Sequence, residues 1–330
     1  MSKAFKEYYG INNEIASKNI DVGYNFTVGN PIDKISHSIN KIQNNQNGYL
    51  FSPLKIQSFY IGLLTKLISR LSIYQAYTNL SSNQFLYYQA SNQTFTDSNF
   101  ATRLNQYYIN TNILLSKFIS ISGGFHFVHL STNFTAQLTV DSNQTPILVE
   151  VPYHSSVLDI LWFVSIYKKF TYFNHSISYY NAGFNNVKQE QFDFKIHFFP
   201  YGNLNLYVLN NLSYKKQNFY FSSLRKNKVI DESIGFKISN RFWTEIYGST
   251  GDMSNFILKE GLVIYNRSDV INNRLGAKLI FIANPNWSLT IDFARLYCTS
   301  TITEYPKWKE FDDRFSYLHH SVTGILSIKL

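Results

Sequence analysis

Along most of this chain the hydrophobic residues recur with a period of two, in runs of about ten that break and then resume. The last ten residues show the pattern. Val322, Gly324, Leu326, Ile328 and Leu330 share one face, and Thr323, Ile325, Ser327 and Lys329 share the other. A strand sends successive side chains to opposite faces, so each such run separates an apolar environment from a wetter one. Repeated with almost no helical punctuation, the rhythm predicts a closed antiparallel sheet with oil outside and polar groups inside: an all-β, transmembrane, up-and-down β-barrel.

Alternation alone also fits a soluble sandwich with its polar face outward. Composition favours the barrel. Only 15% of the 330 residues are charged, against 17% aromatic, with 25 Tyr and 28 Phe. Ordinary soluble domains carry about 25% charge. Tyr and Phe favour strands, and Tyr suits a water–lipid boundary. The apolar stretches at Ile56–Ile68 and Val157–Ile166 are too short to span a bilayer as helices but long enough as tilted strands. The net charge of +9 is scattered, without a dense basic run, so no nucleic-acid partner is expected.

Short turns alternate with long polar connections, as when one side of a membrane carries turns and the other loops. The short turns read at Thr65–Arg70, Ser116–Phe118, Tyr167–Phe170, Tyr201–Asn203, Ser239–Arg241 and Asn284–Asn286. The long connections read at Asn30–Gly48, Leu80–Arg103, Ser131–Ser156, Asn181–Gln191, Tyr214–Ser233, Ser249–Asn272 and Thr299–His319. About fourteen strands result, with both termini on the short-turn side. Residues 1–20 read as a short periplasmic segment and 21–330 as the barrel. Met1–Asn19 carries no apolar core of the kind a secretory leader needs.

The run Asp252-Met253-Ser254-Asn255-Phe256, then Gly261-Leu262-Val263-Ile264-Tyr265-Asn266, Asp269, and the strand Arg274-Leu275-Gly276-Ala277-Lys278-Leu279 resemble a segment common in outer-membrane barrels of the Bacteroidota. The turns at Pro200–Tyr207 and Asn284–Leu289 share that likeness, which covers roughly the C-terminal 150 residues. The resemblance implies a protein of the cell outer membrane with extracellular loops and periplasmic turns. Its surroundings would be the bilayer with lipopolysaccharide-type lipids, and its partners other outer-membrane or periplasmic proteins. Members of this group accompany larger envelope complexes for secretion, barrel assembly or nutrient uptake.

No catalytic motif stands out: there is no Gly-x-Ser-x-Gly elbow, no His-Glu-x-x-His helix and no phosphate-cradling loop. Asn174 and His175 could be drafted into a hydrolase set, but no nucleophile is identifiable by spacing. Cys298 is the single cysteine, so no Cys-based zinc site is expected, since such sites need several thiolates or a matched His set, and the adjacent His319 and His320 face opposite ways on a strand and cannot share a metal. No cofactor, metal or enzymatic activity is expected. The polar residues expected to face the lumen are Ser120, Ser122, His126, Asp159, Asp193, Lys195, His197, Lys237, Lys278, Asp292 and Lys329. Opposite charges among them would pair across the lumen and close it, or line a narrow path; a long loop folding inward is a further way to close it. The reading is a non-enzymatic barrel, either a complex subunit or a narrow solute pore. The alternatives are a barrel-wall hydrolase and a mitochondrial outer-membrane channel.

Overall fold

The computed structural model describes residues 18–29, 48–90, 93–142, 145–184, 187–218, 224–265, 269–304 and 309–330. Residues 1–17, most of the expected periplasmic segment, and 30–47, most of the first long connection, lie outside the described residues. No helix among the described residues is long and apolar enough to cross a membrane.

The strands are β1 (Lys18–Gly29), β2 (Gly48–Ile68), β3 (Leu71–Ala90), β4 (Gln93–Leu114), β5 (Ile119–Ser142), β6 (Thr145–Lys169), β7 (Phe173–Phe184) and β8 (Val187–Phe198). They continue with β9 (Leu206–Asn218), β10 (Arg225–Lys237), β11 (Phe242–Gly251), β12 (Phe256–Leu258), β13 (Val263–Tyr265), β14 (Val270–Asn284), β15 (Trp287–Glu304) and β16 (Lys309–Lys329). Among the described residues, fourteen of these pair in chain order, and β1 closes the barrel against β16; β12 and β13 form a separate two-stranded sheet. The closing register aligns Asn19 with Lys329 and Gly29 with His319. Among the described residues closure leaves no edge in the ring itself, the condition for crossing a bilayer with strands.

The outer wall is apolar. On β6, Leu158, Ile160, Trp162, Val164 and Ile166 point outward and are 41–61% exposed, while Asp159, Leu161, Phe163 and Ser165 between them are buried. Such a surface is stable only against lipid. At the short-turn end the aromatics Phe118, Tyr172, Tyr201, Phe242 and Trp287 are exposed beside aliphatic residues such as Ile68 and Ile238, as expected of an interfacial girdle.

Several strands are longer than the alternation indicates. The connections read at Leu80–Arg103, Ser131–Ser156 and Thr299–His319 are for the most part continuations of β3–β4, β5–β6 and β15–β16. The hydrophobic rhythm disappears there while the backbone ladder continues, as expected of strand on which lipid imposes no alternation. The turns at Tyr167–Phe170 and Thr65–Arg70 are correspondingly tighter, because β6 runs to Lys169 and β2 to Ile68.

Inside, tyrosine rings lie over glycines of the neighbouring strand. Tyr207 faces Gly235, Tyr247 faces Gly276 and Tyr60 faces Gly23 in direct register. A Cβ on Gly235 would stand 2.0 Å from the Tyr207 ring. Each ring covers backbone that would otherwise be bare, and each pair pins the register.

Candidate functional site

After β11 the chain turns into the barrel. Asp252 starts the turn: its Oδ1 accepts from the Ser254 amide at 2.9 Å and the Ser254 hydroxyl at 2.5 Å. Such a side-chain-closed turn is characteristic of Asp. Asn255 follows in the left-handed region, with φ 53°. The apolar triplet Phe256-Ile257-Leu258 then forms β12 and returns through β13 as a short hairpin.

The hairpin tip is conformationally costly. Lys259 and Glu260 have φ of 50° and 58°, and Gly261 has 85°. Non-glycine residues held in this region cost about 1 to 3 kcal/mol each. Wall residues offset that cost by gripping the same backbone. The Tyr108 hydroxyl donates to the Glu260 carbonyl at 2.9 Å, and His126 Nδ1 meets the Gly261 carbonyl at 2.5 Å. Glycine at 261 also satisfies a close approach, since a Cβ there would stand 2.9 Å from Leu161.

Gln191 on β8 behaves as a surrogate strand for Ile257. Its Nε2 donates to the Ile257 carbonyl at 2.8 Å, and its Oε1 accepts from the Ile257 amide at 3.2 Å. Gln189 Nε2 donates to the Asn255 carbonyl at 2.9 Å. Lys215 on β9 caps the entry turn, donating to the Asp252 carbonyl at 3.0 Å and lying 3.5 Å from its carboxylate. Burial pushes the Asp252 carboxyl up, but the Lys215 ammonium and the Ser254 donors outweigh it and hold it below its usual value of 3.8. On the return side, Arg274 Nη1 donates to the Tyr265 hydroxyl at 2.7 Å and Nη2 pairs with Asp231 at 2.8 Å.

The side chains of the hairpin make two cores inside the barrel. Ile257 packs with Leu161, Phe163, Tyr180 and Phe184; Met253, Phe256 and Leu258 pack with Val229, Ile271, Leu296 and Phe315. The lumen is therefore apolar on the side the hairpin occupies, which corrects the expectation of a uniformly polar interior. Inner-face Leu and Phe are required wherever an apolar hairpin must be buried.

The residues expected to face the lumen are distributed along the wall. Ser120, Ser122, His126, Asp159 and Asp193 are buried, and Lys195, His197, Lys237, Lys278, Asp292 and Lys329 are half-buried. They do not converge on one site. His126 and Asp193 lie beside the hairpin, Asp193 accepting from Gln191 at 2.9 Å. Asp292 accepts from Tyr247 at 2.6 Å, and Lys237 donates to Asn240 at 2.9 Å in the β10–β11 turn. Lys278 bonds Glu245, its direct register partner, along the wall. Asn174 and His175 do not act together, because neighbours on β7 face opposite ways; the His175 ring lies outside, 5.5 Å from that of Phe170.

Sequence reading missed Tyr108, Gln189, Gln191 and Lys215, the residues that hold the hairpin. The inner row Asn211, Ser213, Lys215, Gln217 on β9 is visible as a period-two polar run. Its target is not.

The half of the lumen that the hairpin leaves open is a cavity of about 900 Å³. It follows the inner face of β1 from Asn19 through Asp21 and Asn25 to Thr27, and its far wall is Leu262–Tyr265 of the hairpin. Hydroxyls and amides alternate with apolar groups around it. Asn25 Nδ2 donates to Ser321 and Thr323 at 2.7 Å each, and the Tyr60 and Tyr74 hydroxyls meet at 2.7 Å. Its charged lining is balanced, with Asp21 and Asp292 against Lys259 and Arg274.

No protein-family model and no curated protein matches the chain. Solved structures do. The Pseudomonas putida toluene transporter TodX aligns at TM-score 0.54 and 8% identity, over 95% of this chain and 89% of that one. The deltaS2 mutant of TodX, a monoaromatic hydrocarbon channel, aligns at TM-score 0.50 and 9% identity, over 95% and 90%. A Pseudomonas aeruginosa FadL homologue aligns at TM-score 0.47 and 10% identity, over 96% and 89%. At these identities the likeness is one of fold, and the fold is that of an outer-membrane β-barrel.

Proposed function

We propose that this chain is a non-enzymatic outer-membrane barrel that passes small uncharged solutes through the slot between its inward hairpin and β1. The observation that carries the reading is the cavity of about 900 Å³ running along the inner face of β1. Asn19 to Thr27 is about 27 Å of extended strand, or about 20 Å along the axis of a tilted barrel wall. A slot of that length reaches through most of a bilayer core about 30 Å thick. Its lining mixes hydroxyl, amide and apolar groups and carries two charges of each sign, so no net field selects an ion. That TodX is a toluene transporter supports passage of small molecules through this architecture. The Bacteroidota kinship belongs to the same reading: the stretch that resembles those barrels is the inward hairpin together with β14.

The test is solute entry into liposomes containing the purified barrel. Small uncharged sugars of graded size are expected to enter faster than into protein-free vesicles, with a sharp upper limit in size. Vesicles that stay impermeable to the smallest solute overturn the pore and leave the structural subunit of a larger envelope complex as the function.

A further inference from the structure

We propose that Asp269, Cys298 and His319 form a binding site for one divalent transition-metal ion of the zinc type. The three come from neighbouring places on the inner wall. Cys298 on β15 pairs with Ile271 of β14 on one side and Tyr317 of β16 on the other. Asp269, just before β14, and His319 on β16 each stand two residues from those partners, so all three side chains face inward. One ligand atom from each lies within 4.8 Å of the other two. Asp269, Cys298 and His319 are 2%, 1% and 0% exposed.

The surroundings shape the site. Gly29 is the register partner of His319. A Cβ on Gly29 would stand 1.8 Å from the imidazole Cδ2, so the ring occupies the space that a larger residue on β1 would fill. The Tyr317 hydroxyl donates to Asp269 Oδ2 at 2.8 Å and accepts from Ser52 at 3.2 Å. This is the kind of outer contact that orients a ligating carboxylate.

The chemistry fits the donors. One sulfur, one imidazole nitrogen and one carboxylate oxygen are the mixed set that zinc accepts, with a fourth position left for water. Binding converts the Cys298 thiol to thiolate and releases its proton, so affinity rises with pH. Thiolate and carboxylate together neutralise a dication. An electrically neutral centre is what the neighbouring Leu50, Ile271, Leu296 and Phe315 can enclose. The single cysteine excludes a multi-thiolate site but not this one. A bound ion ties Asp269, where the chain rejoins the wall after the hairpin, to β15 and β16.

The full barrel, purified in mild detergent and freed of metal, is titrated with Zn²⁺ alone and with Co²⁺ alone. One equivalent of either ion is expected to bind. Co²⁺ should give a near-ultraviolet thiolate charge-transfer band, which in a chain with one cysteine can arise only at Cys298. Cys298→Ser removes the band. His319→Gln and Asp269→Asn abolish stoichiometric uptake, and Tyr317→Phe weakens it by about 10- to 100-fold. Heat-modifiable gel mobility checks that each variant is folded. A wild-type barrel that shows no thiolate band and takes up no stoichiometric ion overturns the proposal, as does uptake that survives in folded His319→Gln.

Discussion

The Tyr108 hydroxyl donates to the Glu260 carbonyl at 2.9 Å, so a residue of β4 holds the backbone of a hairpin that enters the barrel 152 positions later. The peptide it holds is one of the two strained non-glycine residues at the tip. Removing the hydroxyl leaves a partly buried carbonyl without its wall donor, at up to about 1 to 3 kcal/mol. Tyr108→Phe should therefore leave the barrel folded and release the tip. The measurement is protease cleavage near residue 260 in the folded protein, which should be faster in the variant.

Gln191 makes both backbone bonds of Ile257, and a leucine of similar size can make neither. Gln191→Leu should loosen the hairpin more than Tyr108→Phe does, and the two together should cost less than their sum, because the hairpin leaves as a unit. Hydrogen exchange at residues 256–264 distinguishes the three proteins.

Acid should loosen the entry turn before it unfolds the wall. Asp252 has its carboxyl held below 3.8, so it binds protons less readily when docked than when free. Stability from this group is full above the free value and is lost as pH falls through the lower, docked value. Protease access to residues 252–256 should rise below about pH 4, and Asp252→Asn should remove that pH dependence.

Tyr207 over Gly235 tests the register clamps. Gly235→Ala forces the ring away and breaks the 2.7 Å bond from the Tyr207 hydroxyl to Glu245. Overpacking of this sort costs about 1 to 3 kcal/mol. Denaturant unfolding in lipid vesicles should show that loss, and Tyr207→Phe should lose less.

The outer wall makes the opposite demand. Ile291 faces outward on β15, four residues in from the interfacial Trp287, so Ile291→Lys should destabilise the barrel in vesicles by up to about 2 to 4 kcal/mol. In a soluble sandwich with the same alternation Ile291 would lie between the sheets, where a lysine is costly as well. The wild type in detergent-free buffer separates the two architectures, because the sandwich stays folded and dissolved there and the barrel does not.

All fourteen barrel strands are legible in the sequence, in order, because lipid on one side imposes alternation wherever a strand is in the membrane. Where β3–β4, β5–β6 and β15–β16 project beyond it, that constraint lapses and the strands read as loops. The inward hairpin is harder to read. Phe256-Ile257-Leu258 carries no mark of whether it faces lipid or lumen, and the residues that receive it are spread over β4, β5, β8 and β9. The Asp269–Cys298–His319 cluster is likewise a product of register: Cys298 stands opposite Tyr317 only once β15 and β16 are paired.

The central claim is that a fixed hairpin divides the lumen and leaves one slot beside β1. Single-channel recording in planar bilayers tests it, comparing the intact protein with one in which residues 254–264 are replaced by a short Gly-Ser linker. The account predicts a small, steady conductance for the intact barrel and a several-fold larger one without the hairpin. Equal conductance in the two proteins would contradict it.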